Sequence, residues 1–187
     1  MKIRNVFVAC AVAMLMAFGA VALTGCGPSD EEIIREGVTE QLEAIKTLDP
    51  ALLDELATGA GTTEMAAYGI DPKEFVTSYL AGFDYRVDGI TVDGDKAQAS
   101  VVLTCKNLKE FEKGFAEATQ ALASDETVAN MTEAEITSKI GQIIMDTLGA
   151  LQPTETAPIT IGYELKDDTW MPDSNAEQAV SNALFGN

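Results

Sequence analysis

Residues Tyr85–Thr104 read YRVDGITVDGDKAQASVVLT, and this stretch decides the fold class of the whole chain. Its first half alternates in two-residue steps, with one set of side chains on each side of a strand: Tyr85, Val87, Gly89 and Thr91 against Arg86, Asp88, Ile90 and Val92. Lys96–Thr104 is a second run with strand character. The turn between the runs, Asp93-Gly94-Asp95, contains the Asp-Gly pair that supplies the positive φ of tight hairpins. The stretch therefore predicts an antiparallel β-hairpin.

The residues before this hairpin have helical spacing. Ser29–Glu32 has the S-x-x-E spacing of a capping box, and its acidic side chains suit the positive end of a helix dipole. The apolar residues that follow predict a helix to about Leu48, and they are Ile34, Val38, Leu42 and Ile45. A short helix is predicted from Asp49-Pro50 to Gly59, and another from Asp71 to Phe83 with an aromatic-rich face. No structure is assigned to residues 60–70.

The residues after the hairpin predict two more helices, a second hairpin and a last helix. Capping residues and helical spacing mark the helices, and two-residue alternation marks the strands. Thr132 with Glu135 caps the second of the paired helices, and Ser174 with Glu177 is predicted to cap the last helix. The predicted segments are a helix over Leu108–Ala123, a helix from Thr132 to Leu148, strands at Ile159–Leu165 and Thr169–Met171, and a helix ending at Leu184.

Segregated helices and antiparallel hairpins predict an α+β domain, a curved antiparallel sheet of about four strands packed on helices. The helix Phe75–Phe83 entering Tyr85–Ile90, the hairpin Val92–Ala97 and the late hairpin Tyr163–Trp170 resemble small bacterial lipoproteins with a nuclear-transport-factor-like (cystatin-like) cone. The resemblance covers residues 30–171, and the helical pair at 108–151 departs from it as an insertion. Such cones carry no single activity, so the fold implies no function.

The N-terminal segment has the pattern of an export signal. Lys2 and Arg4 form a positive head, and Val6–Leu23 contains only apolar residues and glycine. A positive head followed by an apolar run is typical of a secretory signal peptide. The run is also nearly long enough to span a bilayer, so an uncleaved transmembrane anchor is an alternative.

The four residues after this run favour a lipid anchor. Leu23-Thr24-Gly25-Cys26 resembles the lipobox of bacterial lipoproteins. The resemblance implies that the signal peptidase recognises Leu23, Thr24 and Gly25 and cuts before Cys26, whose sulfur carries a diacylglyceryl group with palmitate-type chains. The predicted organisation is a cleaved signal at 1–25, a lipidated cysteine and tether at 26–29, and one extracytoplasmic domain at 30–187. An ordinary signal peptide or a plain anchor with an incidental cysteine is the alternative.

Composition excludes several function classes. The chain has 30 acidic and 12 basic residues, no histidine and three cysteines, with a formal charge of −18. Without histidine it cannot contain a Ser-His-Asp triad, a Cys-His pair or an imidazole zinc site. The negative charge argues against nucleic-acid binding, which needs clustered basic residues. After removal of Cys10 and lipidation of Cys26, Cys105 is left without a disulfide partner, and burial as a structural thiol is favoured.

Other candidate sites each have a structural explanation. Asp93-Gly94-Asp95 with Asp88 could be a calcium loop, but the EF-hand pattern is incomplete and a hairpin turn explains the same residues. Asp167-Asp168 is likewise interpreted as a turn. Residues Ile136–Leu148 present a stripe that could dock a partner helix, although packing within the domain is favoured. The aromatic residues that could line a pocket, or else form the core, are Phe75, Tyr79, Phe83 and Trp170.

These observations predict a protein lipid-anchored at the extracytoplasmic face of a bacterial cell membrane. Its expected role is that of a non-catalytic ligand-binding or protein-interaction module of the envelope, with the membrane as one partner and a cationic or envelope protein as another. No catalytic residue, metal site or cofactor is predicted. The alternative is an envelope hydrolase or isomerase with carboxylates in a pocket of the cone, which requires acids whose pKa values are pushed apart by an apolar site.

Overall fold

The computed structural model describes residues 28–59 and 62–185 of the 187-residue chain. The described elements run in the order helices, hairpin, helical pair, hairpin and helix. The long strands pair in antiparallel fashion, and the helices lie in separate groups before, between and after the two hairpins. This arrangement confirms the predicted α+β class and the sheet packed on helices.

The elements are numbered here in chain order. The helices are α1 (Asp30–Lys46), α2 (Pro50–Gly59), α3 (Thr62–Ala67), α4 (Pro72–Leu80), α5 (Leu108–Ala123), α6 (Glu133–Ala150) and α7 (Ala176–Phe185). The strands are β1 (Asp84–Asp93), β2 (Lys96–Cys105), β3 (Thr154–Glu155), β4 (Ile159–Lys166) and β5 (Thr169–Pro172). A 3-10 turn at Glu126–Asn130 joins α5 to α6. Helix α3 lies in the segment to which the sequence assigned no structure.

Strand β2 is the centre of the sheet. The order is β1-β2-β4-β5, and the short β3 pairs with the last two residues of β2. Helices α1 and α7 pack against the sheet, α1 mainly on β1 and α7 on β4. The β2 side chains that alternate toward this helical layer are almost fully buried, and they are Ala97, Ala99, Val101, Leu103 and Cys105. One face of the sheet therefore forms the core.

A β-bulge in β1 corrects the predicted alternation. Val87 pairs with Val101 and Gly89 with Ser100, so that Asp88 is an extra residue on its strand. Beyond the bulge, Ile90 packs on the core together with Tyr85 and Val87, although the alternation placed it on the opposite face from them. The prediction that Gly89 and Thr91 share a face with Tyr85 and Val87 is therefore wrong, because one inserted residue moves every later side chain to the opposite face.

Helix α1 spans the length of the sheet. Its capping box is confirmed, since Ser29 Oγ accepts from the Glu32 N–H at 3.3 Å and the Ser29 N–H donates to Glu32 Oε2 at 2.8 Å. It ends at Lys46, two residues before the predicted end, because Leu48 has a left-handed φ of 53° that a helix cannot contain. At that end Lys46 Nζ lies 2.8 Å from Asp84 Oδ1 at the start of β1.

Helices α5 and α6 with their connecting turn form a helical arm, residues Leu108–Ala150. The arm contacts the rest of the molecule chiefly where its helix α6 packs against α4. Asn107 caps α5, and Thr132 and Glu135 form the predicted capping box of α6. In α5 only the first turns are well buried, through Leu108 and Phe111, whereas the second half of α6 is buried through Ile144 and Leu148.

The start of α7 differs from the prediction. The helix begins at Ala176, and the carboxylate of Asp173 accepts from the N–H groups of Asn175 and Ala176 at 2.8 and 2.9 Å. The predicted capping residue Ser174 lies within this turn. Asp173 takes the capping role because its carboxylate oxygen accepts from two successive backbone amides, as in an Asx turn.

Candidate functional site

Three chain segments meet at one end of the sheet, which we call the turn end: the β1–β2 turn, the β4–β5 turn and the first residues of α1. Gly94 supplies the predicted positive φ of 63° in the first turn, and Asp167 and Asp168 adopt φ values of 51° and 58° in the second. The two turns are joined by a hydrogen bond from the Leu165 N–H to the Asp95 carbonyl oxygen at 2.8 Å. Both acidic turns predicted from the sequence are therefore hairpin turns.

The side chain of Trp170 ties α1 to the turn end. Its indole Nε1–H donates to Asp30 Oδ1 at 3.0 Å, and Asp30 is the first residue of α1. Trp170 pairs with Leu165 on β4 and is buried. The next residue is Met171. Its side chain is 46% exposed, which makes it the exposed large apolar side chain of the described residues.

The four aromatic residues predicted to line a pocket, or else the core, are all part of the hydrophobic core. Phe75, Tyr79, Phe83 and Trp170 are each at most 6% exposed. The Tyr79 hydroxyl donates to the carbonyl oxygen of Leu184 at 2.6 Å, which connects α4 to the end of α7. Tyr79 and Trp170 thus use their polar atoms to join helices and strands that are distant in the sequence. A ligand-binding role for the four aromatic residues stays a prediction.

A small internal cavity lies between α1, β4 and α7. Its volume is about 10 Å³, and its lining includes Val38, Gln41, Ile161, Tyr163 and Val180. That volume is about the space of one water molecule and far below that of an organic ligand. Burial raises the pKa of the Tyr163 phenol, so its hydroxyl is neutral throughout the physiological range. The cavity is a packing feature, not a ligand pocket.

Lys106 is a buried charged residue that sequence reasoning missed. It is 4% exposed, and its Nζ donates to the carbonyl oxygens of Ser78 at 2.6 Å and Leu148 at 2.8 Å. Both carbonyls lie in the last turn of a helix, where unpaired acceptors carry the negative end of the dipole. Burial lowers the pKa of the ammonium. Lys106 therefore joins β2 to the ends of α4 and α6 at the base of the arm.

Cys105, at the end of β2, is a structural thiol. It is 5% exposed, and its Sγ lies 3.8 Å from the carbonyl oxygen of Ala183. Burial raises its pKa to about 11, so the thiol is protonated and weakly nucleophilic at neutral pH. The prediction of a buried, unactivated cysteine is confirmed.

The carboxylates of the described residues lie mostly on the surface. An open groove runs along the exposed face of α1, and its described lining includes Glu32, Arg35, Glu36, Glu40 and Glu43. Hydrogen bonds from neighbouring donors lower the pKa of several acids elsewhere, as Lys46 does for Asp84 and Lys166 for Glu164. The groups with a displaced carboxylate pKa all shift downward, and they are Glu32, Asp84, Asp125, Glu135 and Glu164.

The predicted signal and lipid site, Leu23 to Cys26, lie outside the described residues. The first described residue, Pro28, is two positions after Cys26, and α1 begins at Asp30. Among the helices that the structure describes, none combines the length and apolar character needed to cross a membrane.

Comparison with known proteins gives one structural likeness. No protein-family model and no curated protein matches the chain. Among solved structures, the chain is similar to a protein from Bacillus subtilis subsp. subtilis strain 168 that is described as a lipoprotein, YcdA. The TM-score is 0.45 at 13% sequence identity, and the match covers 96% of this chain and 56% of the YcdA chain. The chain thus spans little more than half the length of that protein.

Proposed function

We propose that this chain is a lipoprotein held at the extracytoplasmic face of a bacterial membrane by a lipid on Cys26. The observation that carries the proposal is the Leu23–Cys26 motif immediately before the confirmed capping box at Ser29. Each buried methylene contributes about 0.8 kcal/mol, so two or three acyl chains would hold the protein stably where one would not. The three residues between Cys26 and Asp30 leave no room for a stalk.

The folded domain acts, in this proposal, as a non-catalytic binding or interaction module. A general acid needs a carboxyl with a raised pKa, whereas the displaced carboxylates of the described residues all shift downward. The buried Lys106 is engaged by two carbonyl oxygens, and Cys105 is protonated. These features support binding over the carboxylate-dependent hydrolase or isomerase, and the sheet packed on helices is compatible with a variant of the nuclear-transport-factor-like cone.

The anchor is tested by metabolic labelling of cells that express the full chain with a clickable palmitate analogue. We expect the wild-type chain to incorporate the label and to have the mass of a chain that starts at a diacylated Cys26. The variant Cys26→Ser should lose the label and keep the mass of the precursor, because only the sulfur accepts the diacylglyceryl group.

Cys10→Ser is the matched control, since Cys10 lies within the apolar run and is removed with it under this proposal. It should label and mature normally. Label retained by Cys26→Ser, or lost from Cys10→Ser alone, would contradict the assignment of Cys26 as the lipid site.

A further inference from the structure

We propose that the turn end of the domain faces the phospholipid bilayer and that the helical arm is attached at the opposite, membrane-distal end. The inference rests on the proposed lipid at Cys26 and deepens it by naming the surface that meets the membrane. It is carried by the Trp170–Asp30 hydrogen bond, by the lengths of β2 and α1, and by the position of the arm in the chain.

The first step is the short reach of the tether. Three residues lie between Cys26 and Asp30, so the two are four residue steps apart, and an extended chain spans at most about 3.6 Å per step, or roughly 14 Å. Asp30 is held by its hydrogen bond to Trp170 and by the capping box at Ser29. The lipid site therefore cannot lie further than this distance from the Trp170 edge of the domain.

The second step is the surface that this edge presents. Trp170 and Met171 are on β5, next to the β4–β5 turn, and the Leu165–Asp95 hydrogen bond brings the β1–β2 turn to the same end. Met171 is the exposed large apolar side chain on this edge. The bilayer, rather than a soluble protein, is the partner that a tether of this length brings within contact of Met171.

The third step is the distance to the arm. Strand β2 runs ten residues from the turn end to Cys105, and at about 3.3 Å per residue it spans roughly 30 Å. Helix α1 runs in the same sense, since Lys46 at its far end pairs with Asp84. The arm begins at Leu108, just after β2, and Lys106 fixes its base there. The base of the arm is thus about twice as far from Asp30 as the tether can reach.

The test uses energy transfer from tryptophan to a fluorescent headgroup, because Trp170 is the single tryptophan of the chain. The lipidated full chain is reconstituted into phosphatidylcholine vesicles that contain a dansyl-labelled lipid, and co-flotation with the vesicles is measured first. Transfer from Trp170 should be strong, because this side chain lies within the reach of the tether.

A matched pair of variants moves the donor between the two ends. Trp170→Phe with Met171→Trp keeps the donor at the turn end, and Trp170→Phe with Lys109→Trp places it on an exposed position at the base of the arm. We expect several-fold stronger transfer from the first variant than from the second, with both variants folded by circular dichroism.

The outcomes separate the two proposals. If the wild-type chain floats with the vesicles but the two variants show equal transfer, or the variant with tryptophan at position 109 shows the stronger transfer, the orientation is overturned and the anchor is left intact. A chain that carries no lipid and does not float overturns the anchor and the orientation together. Flotation with transfer confined to the turn end supports both.

Discussion

The sheet with α1 and the helical arm are stabilised in different ways. In the sheet, Val101 and Leu103 are fully buried in the hydrophobic core. In the arm, each helix begins at a capping residue, and the rings of Phe111 and Phe115 stack with their centroids 5.9 Å apart. Side chains such as Leu122 are only half covered. The comparison shows that capping defines where the arm's helices begin, whereas tertiary packing determines the stability of the sheet.

The largest expected effect contrasts one leucine in each region. Leu103→Ala, at a fully buried position, should lower the free energy of unfolding by about 2–5 kcal/mol. Leu122→Ala, at a half-covered position of the arm, should lower it by about 1 kcal/mol or less. Urea unfolding followed by circular dichroism measures both, and equal losses would show that the arm is packed as tightly as the sheet.

The next effect concerns the link between the regions at Lys106. Lys106→Met removes the donor to the carbonyl oxygens of Ser78 and Leu148, and one buried acceptor left without a partner costs about 1–3 kcal/mol. Hydrogen exchange should rise first in the last turns of α4 and α6. Lys109→Met is the matched control, since Lys109 is exposed and close by. The same loss in both variants would mean that charge, not the two hydrogen bonds, is responsible.

A smaller effect is expected at the turn end. Asp30→Ala removes the acceptor of the Trp170 indole and should cost about 1.5 kcal/mol, with a shift of the tryptophan emission. Asp30→Asn keeps an oxygen acceptor and should restore most of the loss. Glu31→Ala removes an exposed acid from the same helical turn and should change little, because its ion pair with Arg35 is exposed. An unchanged emission spectrum in Asp30→Ala would contradict the tie between α1 and β5.

The smallest effect is a pH dependence shared by both regions through their capping boxes. The backbone N–H groups of Ser29 and Thr132 lower the pKa of Glu32 and Glu135 below the ordinary value of 4.5. The ionised carboxylates therefore stabilise the fold above that value, and this contribution is lost as the pH falls through the lowered pKa. Glu135→Gln should keep the cap at neutral pH and reduce the loss of thermal stability as the pH falls from about 6 to about 3, because the variant has no carboxylate to protonate. An unaltered acid limb would show that the box does not contribute.

The features predicted correctly from the sequence are those whose cause is local. The Asp-Gly turn, the capping boxes at Ser29 and Thr132, and the bounds Leu108–Ala123 of α5 follow from neighbouring residues alone. The bulge at Asp88 could not be predicted, because it depends on the register with β2. Position 88 falls in an alternating pattern that continues without interruption in the sequence.

The candidate site shows the same limit. Lys106 follows a strand and precedes a helix, and nothing in its neighbours indicates burial; the acceptors that permit it are 28 and 42 residues away in the sequence. The Trp170–Asp30 bond joins residues 140 positions apart. The sequence did identify Trp170 as a residue of interest, but only as an aromatic residue in a pocket or core and not as the contact that ties α1 to the second hairpin.

The bulge in β1 has a consequence for the proposed anchoring, which would concentrate copies of the chain in the plane of a membrane. Strand β1 is an edge of the sheet, and an open edge can add a strand from another molecule. Asp88 distorts that edge, and Arg86 lies 2.7 Å from Asp88 and 3.2 Å from Glu155, so the edge carries charged pairs. At the opposite edge β5 is only four residues long and ends at Pro172. Both edges thus carry features that disfavour intermolecular β-pairing between crowded neighbours.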